Sequence, residues 1–163
     1  MPSDKFLWVL SSLLLIISSL SLQAQVLHNQ VMEENIVSVR LFPRSSEFAA
    51  QMRPAVIPLR GSAPLRLSFD DLAYDPDMYS AKLIHCNADW TPSDLRDNDF
   101  LDQFNEFNLT DYQYAIDTRV PYIHFNFDIP SVTKSGNYVI RVYRAETRAK
   151  PSSHSALWFS ITK

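Results

Sequence analysis

Alternation with a period of two is the feature that most restricts what this chain can fold into. Across residues 123–129, Ile123, Phe125, Phe127 and Ile129 alternate with His124, Asn126 and Asp128, and Pro130 closes the run. Successive side chains of a strand point to opposite faces, so this pattern fits a sheet with one buried face and not the apolar stripe of a helix. It recurs in Val37, Val39 and Leu41, in Leu65, Leu67 and Phe69, and in Leu157, Phe159 and Ile161, each series interleaved mostly with polar residues. Residues 79–86 are apolar on both parities, which predicts a central strand covered on both faces. Residues 112–116 form a further candidate strand, and Ala55 to Leu59, interrupted by Pro58, reads as a piece at a sheet edge.

The run from Thr133 to Tyr143 adds an architectural sign. A polar turn holding Gly136 leads into a strand in which Tyr138, Ile140 and Val142 face inward and Val139, Arg141 and Tyr143 outward. This entry resembles the sixth strand of immunoglobulin-like domains, where a Tyr sits two residues before the second Cys and its hydroxyl bonds back to the corner. Here Ile140 holds the Cys place, and a packed Leu67–Ile140 pair is expected instead of the inter-sheet disulfide. The expected fold is an all-β, immunoglobulin- or fibronectin-like antiparallel β-sandwich of about seven or eight strands. Residues 44–53 read as a loop or as one helical turn around Phe48-Ala49-Ala50. A helix start is expected with Thr91 as N-cap and Pro92 as first helical residue, and the spacing of Phe100, Phe104 and Phe107 fits one face of a short helix.

The order of segments at the N-terminus is that of a secretory signal: a polar start with Lys5, an apolar centre, and Ala24 before a polar run. The expected organisation is therefore a cleaved signal peptide at 1–24, a lead-in at 25–35 and the sandwich at 36–163. A formal net charge of −3 and no block of Lys or Arg give no electrostatic footprint for nucleic acid. The single cysteine, Cys86, cannot close an intrachain disulfide and is expected to be buried in the core.

Reactive chemistry is hard to assemble from these residues. His85 and Cys86 are adjacent in a strand, so they point to opposite faces and cannot act as a nucleophile pair. The aspartates around Asp70 to Asp77 and Asp94 to Asp102 lack the spacing of a calcium loop and read as solvated turn residues and caps. No phosphate loop, serine-hydrolase elbow or metal-binding spacing occurs. No catalytic residue, cofactor or metal is assigned, and no small-molecule substrate. The surface feature of interest is outward-facing Tyr143 and Trp158 with Arg141 beside them, able to stack on a sugar or anchor a protein partner.

Three blocks together resemble one family. They are Leu67-Ser68-Phe69-Asp70-Asp71-Leu72, the run from Cys86 through Trp90 and Pro92 to Leu95, and Thr133-Lys134-Ser135-Gly136-Asn137-Tyr138. Their order and spacing are similar to the N-terminal domain of the type IX secretion system plug protein of Bacteroidetes. The resemblance implies a non-enzymatic periplasmic component of that system. Its protein partner would be the outer-membrane translocon barrel, whose periplasmic opening the plug occludes, and it would meet the outer membrane only through that partner. Cys86, Trp90, Pro92, Gly136 and Tyr138 then form a structural signature. Gln103 stands where the family tends to carry Gly, and residues 145–155 depart from its pattern. Family members continue past this domain, which suggests a truncated plug or a stand-alone relative. The alternative is a secreted carbohydrate-binding module using Tyr143 and Trp158.

Overall fold

The computed structural model describes residues 27, 29–59, 64–144 and 155–162, the last segment by its backbone alone. The expected leader and residues 145–154 lie outside them. The strands are β1 (Gln30–Val31), β2 (Ile36–Pro43), β3 (Leu65–Asp71), β4 (Tyr79–Cys86), β5 (Phe107–Asn108), β6 (Asp111–Tyr114), β7 (Ile123–Asp128), β8 (Asn137–Arg144) and β9 (Ser155–Thr162). Two one-turn helices, α1 (Phe48–Gln51) and α2 (Asp97–Phe100), sit in the connections. Among the described residues no helix is long and apolar enough to cross a membrane.

The strands form two antiparallel sheets, the first ordered β1-β9-β8-β4-β5 and the second β2-β3-β7-β6. The chain is thus an all-β sandwich. Alternation decides what lies between the sheets. Tyr79, Ala81 and Leu83 of β4 and Tyr138, Ile140 and Val142 of β8 meet Leu65, Leu67 and Phe69 of β3 and Ile123 and Phe125 of β7 in one buried cluster. Leu67 and Ile140 are both fully buried members of it. An aromatic joint ties the sheets together: Phe69 and Phe125, cross-strand partners, stack at 5.2 Å, and Tyr79 meets both edge-on at 5.5 and 5.2 Å. Such geometry suits ring quadrupoles and adds to the burial of area.

β4 is buried on both faces and paired on both sides, as expected of a central strand, although on one side only by the two residues of β5. The rest of that flank is closed piecemeal. The buried Asn105 amide accepts from the Leu83 N–H at 2.9 Å and donates to the Leu83 carbonyl at 2.8 Å, imitating a strand, and the Ser93 N–H donates to the His85 carbonyl. Several expectations change on contact with the structure. The 55–59 piece forms no strand; Ala55, Ile57 and Leu59 lean on the core from an irregular segment, since Pro54 and Pro58 withhold ladder donors. Phe100, Phe104 and Phe107 share no helix face. Phe100 is buried in α2, Phe104 is exposed and Phe107 lies in β5. β2 carries a bulge between Val37 and Arg40, with Ser38 at φ 54°.

Asp71 overturns the reading of its group as solvated. It is fully buried at the end of β3, accepting from the Tyr79 hydroxyl at 2.9 Å and the Asn35 amide at 2.6 Å. Burial, and then the Asp71 carboxyl, push the Tyr79 hydroxyl up. Arg144, at the end of β8, lies over the Tyr79 ring and bridges Glu33 at 2.7 Å and Asp77 at 2.8 Å. One polar network therefore fastens the β1–β2 link, β3, the β3–β4 loop and β8.

On the second sheet, Arg66 and Asp128 are cross-strand partners joined by two bonds of 2.6 and 3.0 Å, with Arg44 adding a third at 2.8 Å. The Arg66 guanidinium, bonded to the Asp128 carboxylate, holds it below the usual carboxylate range. A depressed folded-state pKa contributes stability that is complete above the unfolded value of about 3.9 and is lost as pH falls through the folded value. Because Asp128 is a third exposed, its share is about 0.5–1 kcal/mol. Unfolding free energies of wild type and Asp128→Asn, from urea denaturation, should differ by that amount at pH 6 and converge as pH falls below about 4.

Candidate functional site

The outward face of the first sheet holds Cys86, Trp90, Arg141 and Tyr143 of the residues singled out from the sequence, and it divides into an apolar and a charged half. In the apolar half, Cys86 and Val139 are buried with Leu27 on the outer side of the sheet, and Ile84 and Trp90 pack against them. Cys86 is thus buried, but in this satellite cluster and not in the core between the sheets. Burial pushes its thiol up, which suppresses the nucleophilic thiolate. His85 points the other way, its ring edge-on to Tyr138 at 5.0 Å and its Nδ1 hydrogen bonded to Ser93 Oγ at 2.7 Å.

The run after Cys86 forms a hairpin return, not the expected helix start. The Asn87 N–H donates to the Thr91 carbonyl, the Trp90 N–H donates to the Asn87 carbonyl, and Pro92 bridges back to Cys86. Pro92 sits at the sheet edge, where a missing N–H costs little. The Asp89 carboxylate accepts from both the Thr91 N–H at 3.0 Å and its hydroxyl at 2.6 Å. These bonds hold Trp90 at φ 64°, the left-handed position such three-residue loops normally give to Gly. The Trp90 carbonyl accepts from the Leu27 N–H at 3.0 Å, so the strained residue clips the lead-in across the sheet. The helix, α2, begins only at Asp97, where the Asp99 carboxylate accepts from the Arg96 N–H.

At the same end, the Tyr138 hydroxyl donates to the Lys134 carbonyl at 2.7 Å, four residues upstream, which is the corner bond of immunoglobulin-like domains. Between them Gly136 lets the chain pass the His85 ring: a Cβ there would stand 2.5 Å from Nε2.

The charged half contains Arg141 and Tyr143 of β8 and Lys82 of β4, with Lys82 directly opposite Arg141 in the ladder. Like charges placed opposite each other repel. Glu106 offsets this by accepting from the Tyr143 hydroxyl at 2.9 Å and lying 3.9 Å from the Lys82 ammonium. Tyr143 is therefore half-buried and fixed, with Arg141 6.0 Å from its ring centre. Burial first, then Glu106, push its hydroxyl up to about 12. Trp158 takes the register place opposite Arg141 on β9; its side chain lies outside the described residues. The half offers a rigid aromatic, a planar cation and an ammonium group, which can stack and hydrogen-bond. Among the described residues no three His, Cys, Asp or Glu side chains converge as metal ligands.

A second feature has no counterpart in the sequence reading. A groove of about 570 Å³ opens between the β3–β4 loop and the start of β6, lined by Met78, Tyr79, Leu109 and Tyr112 with Asp77 and Asn108. The exposed aromatics at alternate positions 112 and 114 were the available signal.

The Trp90 hairpin yields a sharp expectation. Trp90→Ala removes the ring but keeps the left-handed strain, whereas Trp90→Gly removes both, so the Gly variant should be the more stable of the two by about 1 kcal/mol. Chemical denaturation of both variants checks the order; equal midpoints, or a more stable Ala variant, would show that the turn is not strained.

Comparison with known proteins agrees with this geometry. Residues 36–159 match the family described as the type 9 secretion system plug protein 1st domain. The fold is similar to that in the crystal structure of a hypothetical protein from Parabacteroides merdae ATCC 43184. The TM-score is 0.75 at 23% identity, over 85% of this chain and 34% of that one. The chain thus spans about a third of the length of that protein, and the likeness concerns fold alone. No curated protein matches. With the match running from β2 into β9, the chain belongs to the family of type 9 secretion system plug protein first domains.

Proposed function

We propose that this domain serves type IX secretion as a non-catalytic docking module in the periplasm, delivered there by a signal peptide cleaved after Ala24. Its partner is the outer-membrane translocon barrel, through which it associates with the outer membrane. The contact surface is the charged half of the outward face, around Arg141, Tyr143 and the register position of Trp158.

One observation carries this choice of surface. Tyr143 is an aromatic side chain held in place by Glu106 and flanked by Lys82 and Arg141. A fixed aromatic next to Arg loses little side-chain entropy on binding, the property that marks interface anchors. The buried, raised Cys86 thiol and the separation of His85 from it support a binding role over a reactive one.

The reading is tested by capture of the translocon barrel from detergent-solubilised outer membrane. Wild type should retain the barrel, and Arg141→Glu and Tyr143→Ala, each folded by circular dichroism, should lower its affinity by about tenfold or more, the size of a single interface anchor. Undiminished capture by both variants would remove this face from the contact. Retention on polysaccharide without capture of the barrel would instead support the carbohydrate-binding alternative.

A further inference from the structure

The four outer edges of the two sheets are not equally protected. β1 and β5 are two residues long, and β2 is bulged at Ser38 and ends in Pro43. Short strands, bulges and Pro are the usual devices that stop an edge from templating another strand. β6, Asp-Tyr-Gln-Tyr, has none of them, carries no Lys, and all four of its residues are exposed. It closes one side of the second sheet, and no described strand lies beyond it.

The backbone shows which groups this edge offers. The Ala115 N–H donates to the Tyr122 carbonyl at 3.0 Å, continuing the register that pairs Gln113 with His124 and Asp111 with Asn126. Antiparallel bonding alternates along a strand. The N–H and C=O groups of Tyr112 and Tyr114 therefore point away from β7, toward the open side. Tyr112 packs on Phe125 of the core at 5.5 Å and on Tyr114 at 5.9 Å, and it also lines the groove beside Met78 and Leu109. The edge thus combines two outward backbone pairs with an apolar recess next to them.

We propose that the free edge of β6 and the adjoining groove form a docking site for an extended, Lys- or Arg-bearing segment of a partner protein, which pairs as an additional strand of the second sheet and places an apolar side chain in the groove. Backbone pairing at such an edge supplies affinity, and the pocket supplies specificity. Charge selects the occupant. Segments 75–79 and 106–117, which flank the site, contain no Lys or Arg. Asp77 and Glu106 within them are already paired, with Arg144 at 2.8 Å and Lys82 at 3.9 Å, so the charge offered to a partner is that of Asp75, Asp111 and Asp117. Pairing with a second copy of β6 would crowd Asp111 and Asp117 of both chains into one short contact, and like charges across a strand pair destabilise it. A strand carrying basic residues gains at the same positions. This site is separate from the Tyr143 face, and the inference does not rest on the translocon reading.

The probe is a short synthetic peptide of alternating Lys and Val, titrated into the full chain at low salt and followed by amide NMR. The expected result is shifts confined to residues 76–79 and 109–116, with exchange of the Tyr112 and Tyr114 amides slowed by about tenfold or more on saturation. A peptide of alternating Glu and Val should bind at least about tenfold more weakly. Tyr114→Pro removes an outward N–H without touching the β7 ladder and should abolish binding. If that variant does not fold, the double variant Asp111→Lys, Asp117→Lys should reverse the preference between the two peptides. Equal affinity for both peptides, shifts centred elsewhere, or no binding at millimolar peptide would overturn the proposal. So would self-association in the ultracentrifuge that protects the same amides, because it would make a second copy the occupant.

Discussion

The pairing of β4 with β8 is the constraint on which the rest of the sandwich depends. It runs unbroken from Tyr79 opposite Arg144 to Cys86 opposite Asn137. Its inner side supplies Tyr79, Leu83, Tyr138 and Ile140 to the core, and its outer side supplies Cys86 and Val139 to the cluster under Leu27. Burial on both faces makes the loss of any part of this ladder expensive in apolar area. Both ends are also pinned. At one end Arg144 joins the network of Glu33, Asp77, Tyr79 and Asp71; at the other, the Cys86–Pro92 hairpin and the Tyr138 corner meet around Gly136.

The consequences reach the surface. Because β8 is fixed along its length, Arg141 and Tyr143 are presented from a rigid strand, and Glu106 holds Tyr143 from the loop that leads into β5. The family match makes the chain a relative of type 9 secretion system plug first domains, and the docking role proposed for it would draw on such preorganised surfaces. The same architecture leaves β6 at the far side of the second sheet without the bulge, Pro or short length that guards the other edges.

Much of this was legible in the sequence because alternation is a direct physical record of a sheet with one buried face. It located β3, β4, β7 and β8 closely, and the Ser-Gly-Asn-Tyr entry pointed to the corner bond that Tyr138 makes. The failures have specific causes. Thr91-Pro92 carries the chemistry of a helix start, but the same residues close a hairpin when Asp89 satisfies the Thr91 donors. Asp71 falls on the inward parity of Leu65, Leu67 and Phe69, yet its charge suggested solvent; only Tyr79 and Asn35, brought in by tertiary structure, make its burial tolerable. The outward face was read from parity alone, and its division into an apolar and a charged half was not visible, because Leu27 and Glu106 arrive from distant segments. The unguarded edge of β6 could not be read at all, since which strands lie at an edge is a property of topology.

Native-state hydrogen exchange tests the central place of the β4–β8 ladder most directly. Amides of residues 80–85 and 138–143 that bond across this pair should be the slowest in the chain and should exchange only through global unfolding, with a denaturant dependence equal to that of equilibrium denaturation. If those amides exchange through a smaller opening while β3 and β7 remain protected, the second sheet is the stable unit and the sandwich does not depend on the β4–β8 pair.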